Sequence, residues 1–435
     1  MTDRAIRSPR DLRRSNRSLL LRRLYLDGPL SRQDMIDSMG ASAASVSNVV
    51  ADLIADGAVV EAGIAGGGNG RPRTLLRVDT ESRFVVGVEV GETHIQVRLL
   101  TLGFDARAAA EIPMPGGIGD ARAVAREIAA GVREVTAALA TRRATNQHPT
   151  MHHPTMQHPT ILGVGIAVPG VVESRPDAVV HCQTVGWDAV PLERMLRREI
   201  DLPLYIDNGA TALGQAEMWF GAGRGCSDAV IALIGVGVGA CVVTDGVPYR
   251  GVGHSAGEWG HTVVEVGGRR CRCGSLGCLE AYVGAGAIRR RYRELASRES
   301  LLPLPGFDDL GDEAALAAIV AASEGPDARA EAVEALDEAA VYLGAGVASL
   351  INLFNPERIV LGGWAGVCLG SRLLPRIREV AAEYALRHAY SSTSIDLCRL
   401  GTDAVARGAA CLPVAEYLAS GGAPTRVPPV PEPAG

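Results

Sequence analysis

Apolar residues recur at helical spacing over residues 16–27, at Leu19, Leu20 and Leu24, until Gly28 and Pro29 end the run. Ser31 with Asp34 three positions later has the form of a capping box, with Asp in place of the preferred Glu, and Met35, Ile36 and Met39 carry an apolar stripe to Gly40. A third stretch, residues 42–56, turns Val46, Val49, Val50, Leu53 and Ile54 to one side and leaves Ala43, Ser45, Ser47, Asn48 and Asp52 on the other. Gly57 stops it. Two short β-capable runs follow, on either side of a glycine-rich tip carrying Arg71 and Arg73. Three helices and then a hairpin predict a winged helix-turn-helix over residues 1–80.

From residue 84 the period changes. FVVGVEVG and HIQVRLLTL predict two strands around a tight glycine turn, and a helical pattern over residues 120–141 follows, which opens an α/β domain. Residues 147–160 are a five-residue repeat with a proline in every unit, which holds neither a helix nor an inner strand. The repeat reads as a low-complexity insert at 145–160, and His148, His152, His153 and His158 as an exposed expansion in preference to a metal site. Strand-like runs at 204–207, 229–233 and 358–361 alternate with helical patterns such as 328–353, the arrangement of a layered α/β fold across residues 81–420. The Gly/Pro-rich residues 421–435 predict a disordered tail.

Composition narrows this picture. Of 435 residues 47% are hydrophobic and 21% charged, ample for buried cores and unlike a mostly disordered chain. All 43 basic residues are arginine, and 49 acids bring the net charge to −6, which excludes a generally polycationic protein. The balance is uneven, with 12 arginines against 8 acids through Arg77 and 31 against 41 thereafter. The amino-terminal part is therefore the candidate nucleic-acid surface. The Gly-rich apolar stretch at 229–244 is shorter than the ~20 residues that span a bilayer, and the first residues lack the apolar centre of a signal peptide. The expectation is a cytoplasmic protein with no membrane partner. Nine cysteines, three of them in CRCGSLGC, point to metal ligands and core thiols and away from a secreted disulfide framework.

Cys271, Cys273 and Cys278 with the imidazole of His261 make the donor set of a closed tetrahedral zinc site over 261–278. With four protein ligands, Zn2+ would order its loop and leave no position for a reactive water. In the amino-terminal unit, Ser45, Ser47 and Asn48 lie on the polar face of the third helix, where short hydroxyl and amide groups reach base edges. Arg71 and Arg73 suit phosphates or a narrow minor groove, and Arg10, Arg13, Arg14 and Arg17 would add phosphate contacts.

The segments GVGIAVPG, FGAGRG, SAGEWGHT, CRCGSLGCLE and INLFNPERIVLGG resemble the ROK family of repressors, sugar kinases and uncharacterised relatives, over residues from about 82 to 415. The resemblance implies a two-lobed, actin-like (RNase H-like) sugar kinase fold, to which the repressor branch adds an amino-terminal winged helix. It also implies that sugar hydroxyls are held by Asn208, by Glu258 and His261 of the ExGH motif, and by Glu280 after the last cysteine. One ring nitrogen of His261 on zinc would leave the other for a hydroxyl.

The chain departs from the family pattern where a kinase needs it most. The phosphate motif D-x-G-G-T reads Glu89-Val90-Gly91-Glu92-Thr93, which sets a carboxylate against phosphates, and G-T-G-x-G reads Gly235-Val236-Gly237-Val238-Gly239. The motif N-D-A-N reads Asn208-Gly209-Ala210-Thr211, so the catalytic Asp falls on Gly209 and no base remains. A slip in that alignment would instead put Asp207 in that role. The expectation is a kinase-inactive, sugar-responsive transcriptional regulator of carbohydrate metabolism, a repressor by family default. Its partners would be operator DNA and a sugar or sugar phosphate effector, and its state a homodimer or homotetramer. The rival is an ATP-dependent, glucokinase-like sugar kinase with an accessory DNA-binding domain.

Overall fold

The computed structural model describes residues 9–40, 42–66, 72–114, 116–145, 160–174, 177–298 and 304–423. Arg71, the repeat through residue 159 and the tail from residue 424 lie outside them, as does the side chain of Arg10. The chain opens with α1 (Pro9–Asp27), β1 (Leu30–Ser31), α2 (Arg32–Met39), α3 (Ala43–Ala55), β2 (Val59–Ala65) and β3 (Arg73–Val78). Leu21, Leu24, Met35, Val50 and Leu53 are buried between these helices, as their spacing requires. Ser31 Oγ accepts from the Asp34 amide at 3.3 Å and Asp34 accepts from the Ser31 amide at 2.8 Å, so the capping box forms with Asp at its far end. The strands pair antiparallel in the order β1-β3-β2. Helix α1 starts seven residues before the apolar stripe does, with Pro9 at its first turn, where a missing amide costs nothing.

Then come β4 (Arg83–Val90), β5 (His94–Thr101), β6 (Ala106–Pro113), α4 (Ala121–Thr145) and β7 (Thr160–Val168). After a small antiparallel sheet of β8 (Val171–Glu173), β9 (Val179–Cys182) and β10 (Trp187–Val190), the chain continues through α5 (Leu192–Leu196), β11 (Leu204–Asn208) and α6 (Gly209–Phe220). The second lobe comprises β12 (Ala229–Ile234), β13 (Val238–Thr244), β14 (Val247–Pro248), α7 (Glu280–Val283), α8 (Ala285–Arg298), α9 (Asp312–Ala322) and α10 (Ala330–Phe354). It ends with β15 (Arg358–Gly362), α11 (Gly363–Tyr384), α12 (Arg387–Ser392), β16 (Ser394–Leu397) and α13 (Ala404–Ala419).

Among the described residues the two large sheets run β6-β5-β4-β7-β11 and β14-β13-β12-β15-β16. Counted from its own first strand, each reads 3-2-1-4-5, an antiparallel meander extended by two parallel strands. The same path taken twice is the actin-like architecture. The helix leaving each sheet crosses to the other lobe: α6 packs on β12 and β13, and α13 on β4 and β7. Glycine permits that approach. A Cβ at Gly165 would stand 1.8 Å from Ala409 O, and one at Gly408 2.0 Å from Ala212 O.

Among the described residues α10 alone is long and apolar enough to cross a membrane, and it lies outside the apolar 229–244 stretch. Leu336, Leu343, Val347 and Ile351 are fully buried on its inward side against α8 and α11, so it is the core helix of the second lobe.

The amino-terminal unit is joined to the lobes through one continuous apolar core, in which Leu20, Leu21 and Leu24 of α1 meet Leu100, Trp219 and Tyr417. Polar bonds fix the docking. Arg83 donates to Gly57 O at 2.8 Å and Asp56 O at 3.1 Å, and Tyr25 Oη donates to Leu102 O at 2.7 Å. Arg13 and Arg17, expected on DNA phosphates, pair in this DNA-free chain with Asp52 of α3 and with Asp56 at its C-cap. Arg17 also donates to Gly421 O, so the tail expected from residue 421 continues as packed chain through the buried Gly421 and Gly422.

Candidate functional site

A cavity of about 600 Å³ lies between the lobes. The β4–β5 turn, the loop after β7 and the start of α6 face it from one side, and the Gly235–Gly239 loop, Glu258, His261 and Glu280 from the other. All four residues expected to hold a sugar are thus in its wall.

Asn208 is the N-cap of α6. Its Oδ1 accepts from the amides of Ala210 (2.8 Å) and Thr211 (3.2 Å), and its Nδ2 donates to Gly170 O at 2.7 Å, which leaves one amide hydrogen for a ligand. Gly209 follows, and a Cβ there would meet nothing nearer than Val168 O at 3.8 Å. Packing therefore does not demand a glycine at this position. Asp207, two residues before Gly209 on β11, is buried and is not among the cavity's lining residues. Strand alternation sends it to the opposite face, where Arg250 grips both its oxygens at 2.9 and 2.7 Å.

Glu280 begins α7 and is 5% exposed. Its Oε2 accepts from the Val238 amide at 3.0 Å, which spends one donor of the Gly235–Gly239 loop inside the protein. Glu258 opens onto the cavity, 4.0 Å from His261 Nε2. Burial by the cavity walls pushes its carboxyl above the usual range; His261 acts against that rise and Glu280 adds to it.

His261 presents its other nitrogen, Nδ1, to Cys271 Sγ at 3.7 Å, while Cys273 and Cys278 Sγ are 3.8 Å apart. A tetrahedron with ~2.3 Å zinc–sulfur bonds has edges of about 3.8 Å. One donor atom from each of His261, Cys271, Cys273 and Cys278 lies within 4.8 Å of the rest, so the cluster matches a structural zinc site in donor type and spacing. The loop is also braced by its backbone, with the Cys271 amide donating to Ser275 O at 2.9 Å and the Leu279 amide to Thr262 O at 2.9 Å.

Glu89 enters the cavity from β4. Its Oε2 is enclosed with no hydrogen-bond partner among the described residues, and burial, only partly offset by Arg98, pushes its carboxyl from the ordinary 4.5 up to about 8. A raised pKa means that the folded state holds a proton the unfolded chain has released. The stabilising contribution is complete below the unfolded value and fades as pH rises from 4.5 through about 8. Across that window the wild type should lose stability relative to Glu89→Gln by up to ~1.4 kcal/mol per pH unit, which a falling difference in melting temperature reads out. Parallel curves would rule this out.

On the amino-terminal unit, Ser47 and Asn48 stand exposed on α3 as expected. Ser45 does not stand with them, because it is half-buried against α1 and accepts from Asn16 Nδ2 at 3.4 Å. Arg73 is exposed at the start of β3, 4.0 Å from Asp34 of α2. Sequence reading gave neither Arg250 nor Arg272 a role. Both act on partners 43 and 180 residues away, and no local pattern announces such a pairing.

The sequence profile of the ROK family matches residues 147–416, a start well inside the span from residue 82 over which the motifs suggested it. The chain is 28% identical to a xylose repressor of Caldicellulosiruptor bescii over 94% of its own length and 97% of that protein. It is 33% identical to a glucokinase of Halalkalibacterium halodurans over 74% of its length and 92% of that protein. Its fold matches the crystal structure of a ROK family transcriptional regulator, a homologue of the E. coli MLC protein, with a TM-score of 0.73 over 94% of this chain and 98% of that one, at 24% identity. On the profile match, supported by the doubled lobe topology and the cavity between the lobes, this chain belongs to the ROK family.

Proposed function

We propose that this protein is a sugar-responsive, DNA-binding transcriptional regulator, a repressor in its resting sense, whose kinase-like lobes bind a sugar without phosphorylating it. The observation that carries the reading is the vacancy at Gly209 in a cavity that keeps Asn208, Glu258, His261 and Glu280. Sugar ligands without a base to take the hydroxyl proton suit binding and not transfer. Likeness to a xylose repressor along nearly the whole chain supports the same reading, because it takes in the amino-terminal unit. That unit acts as a winged helix, with Ser47 and Asn48 on base edges and Arg73, with Arg71, on the DNA backbone. Zinc on His261, Cys271, Cys273 and Cys278 is structural: it holds the loop that carries part of the sugar site. The protein works as a homodimer or homotetramer on operator DNA in the cytoplasm, since paired half-sites call for paired subunits.

The test is fluorescence anisotropy of the zinc-loaded full-length protein on DNA from upstream of its own gene. Salt is held fixed, random DNA competes, and a hexose and pentose panel is added. Binding that survives the competitor and shifts with one sugar is the expected result. In the same assay Glu258→Gln should keep its affinity for DNA and require about 10–100-fold more sugar, the cost of one charged hydrogen bond to a hydroxyl. Steady ADP release with any sugar of the panel would replace this reading with that of a kinase, the activity named in the glucokinase relative.

A further inference from the structure

Glu92 lies on the turn between β4 and β5, in the first lobe, while Arg272 stands between two of the cysteines on a loop of the second. Both face the cavity. Arg272 Nη1 donates to the two carboxylate oxygens of Glu92 at 2.9 and 2.8 Å, and its Nη2 is 3.5 Å from Glu280 Oε1. The pair therefore spans the cleft, with side chains 33% and 25% exposed. Among the described lining residues Arg272 is the only arginine, and it faces Glu89, Glu92, Glu258 and Glu280.

A phosphate group entering this cavity needs donors. Guanidinium forks and free backbone amides are the groups that supply them. Here the guanidinium is engaged by Glu92 on one side and Glu280 on the other, and the Val238 amide of the glycine loop is bonded to Glu280. An incoming anion would have to displace a carboxylate from Arg272 and then sit beside it, in a partly desolvated cleft where like charges repel strongly. A neutral sugar meets no such penalty, since carboxylates accept from its hydroxyls.

We propose that Glu92 is a specificity-determining residue: by holding Arg272 across the cleft it bars phosphate-bearing ligands, nucleotide and sugar phosphate alike, and restricts the effector to an unphosphorylated sugar. This rests on the sugar-sensor reading above and narrows its ligand class. It also means that the substituted phosphate turn has acquired a partner in the opposite lobe.

The experiment uses the zinc-loaded full-length protein, its Glu92→Gln variant and the Glu92→Gln/Arg272→Gln double variant. Each is titrated calorimetrically with ATP, pyrophosphate and glucose 6-phosphate, beside glucose and xylose. Removing the carboxylate frees the guanidinium, so Glu92→Gln should bind at least one phosphate probe about tenfold or more tightly than the wild type, and the double variant should lose that gain. Glu92→Gln leaves Arg272 its second partner, Glu280, and thermal unfolding of each variant checks that it is folded before it is titrated. Three results overturn the proposal: a sugar phosphate that binds the wild type more tightly than its parent sugar, no gain in Glu92→Gln, or a gain that persists without Arg272. The phosphate titrations are read without DNA, whereas the regulator reading fails on the anisotropy assay, so the two failures are told apart.

Discussion

Cys278→Ser should abolish zinc binding at the His261 cluster and lower the unfolding midpoint by roughly 10 °C. Cys278 is fully buried, and its sulfur closes one edge of the donor tetrahedron. A serine hydroxyl is a poor ligand for the ion, and three remaining donors bind it far less tightly. Structural zinc is worth ~10–16 kcal/mol in small isolated motifs. In a chain with large cores of its own, only the local share of that is at stake, about 3–5 kcal/mol. At the ~2–4 °C per kcal/mol seen for domains of this size, the midpoint falls by about 10 °C. His261 and Glu280, at the two ends of the loop, both face the cavity, so sugar binding should be lost with the metal. Elemental analysis with thermal unfolding decides it: one zinc per wild-type chain and almost none in the variant. A variant that melts like the wild type, or a wild type purified without zinc that still binds sugar normally, would remove zinc from the account.

The second large effect is expected at Arg250, which is not among the residues lining the cavity. Asp207 is 5% exposed, and the Arg250 guanidinium occupies both its oxygens. Arg250→Met keeps the aliphatic stem but leaves a buried carboxylate without its counter-charge, held among the described residues only by the Asn208 amide at 2.8 Å, a loss of about 3–5 kcal/mol. Urea unfolding of Arg250→Met, Asp207→Asn and the double variant measures it. The double variant should recover most of the loss, because it removes the orphaned charge along with its partner. Equal destabilisation in the single and double variants would mean that the arginine matters for packing and not for charge.

The parts of the fold that were legible in advance are those with a strong period. The pattern at 42–56 became α3 at Ala43–Ala55, and 328–353 became α10 at Ala330–Phe354, since burial of every third or fourth residue leaves the same mark in sequence as in space. The strands at 204–207, 229–233 and 358–361 each gained one residue. Ala106–Pro113 and the three short strands around Val171–Val190 were missed, because an edge strand rich in alanine and strands of three or four residues carry too few alternations to register. The His261–Cys278 cluster was legible because its members are close in sequence, and the four residues that share the cavity wall because motifs carried them. Ser45 was read from one helix alone, whereas the structure turns it toward Asn16 of another. The pairs Asp207–Arg250 and Glu92–Arg272 are long-range and needed coordinates.

One helix described above has a mechanical meaning. Asn208 caps α6 within the cavity wall, and twelve residues later Phe220 ends it, with Trp219 and Phe220 packed edge-on to Tyr25 of α1 at 5.9 and 6.3 Å. A helix of that length is a stiff rod of about 18 Å. Pivoted at its capped end, it converts a tilt of about 6°, too small to break a hydrogen bond, into a displacement of ~2 Å where it touches α1, half the width of a side-chain contact. Stiffness between the two ends, and not chemistry at either, sets how faithfully a movement at one is delivered to the other.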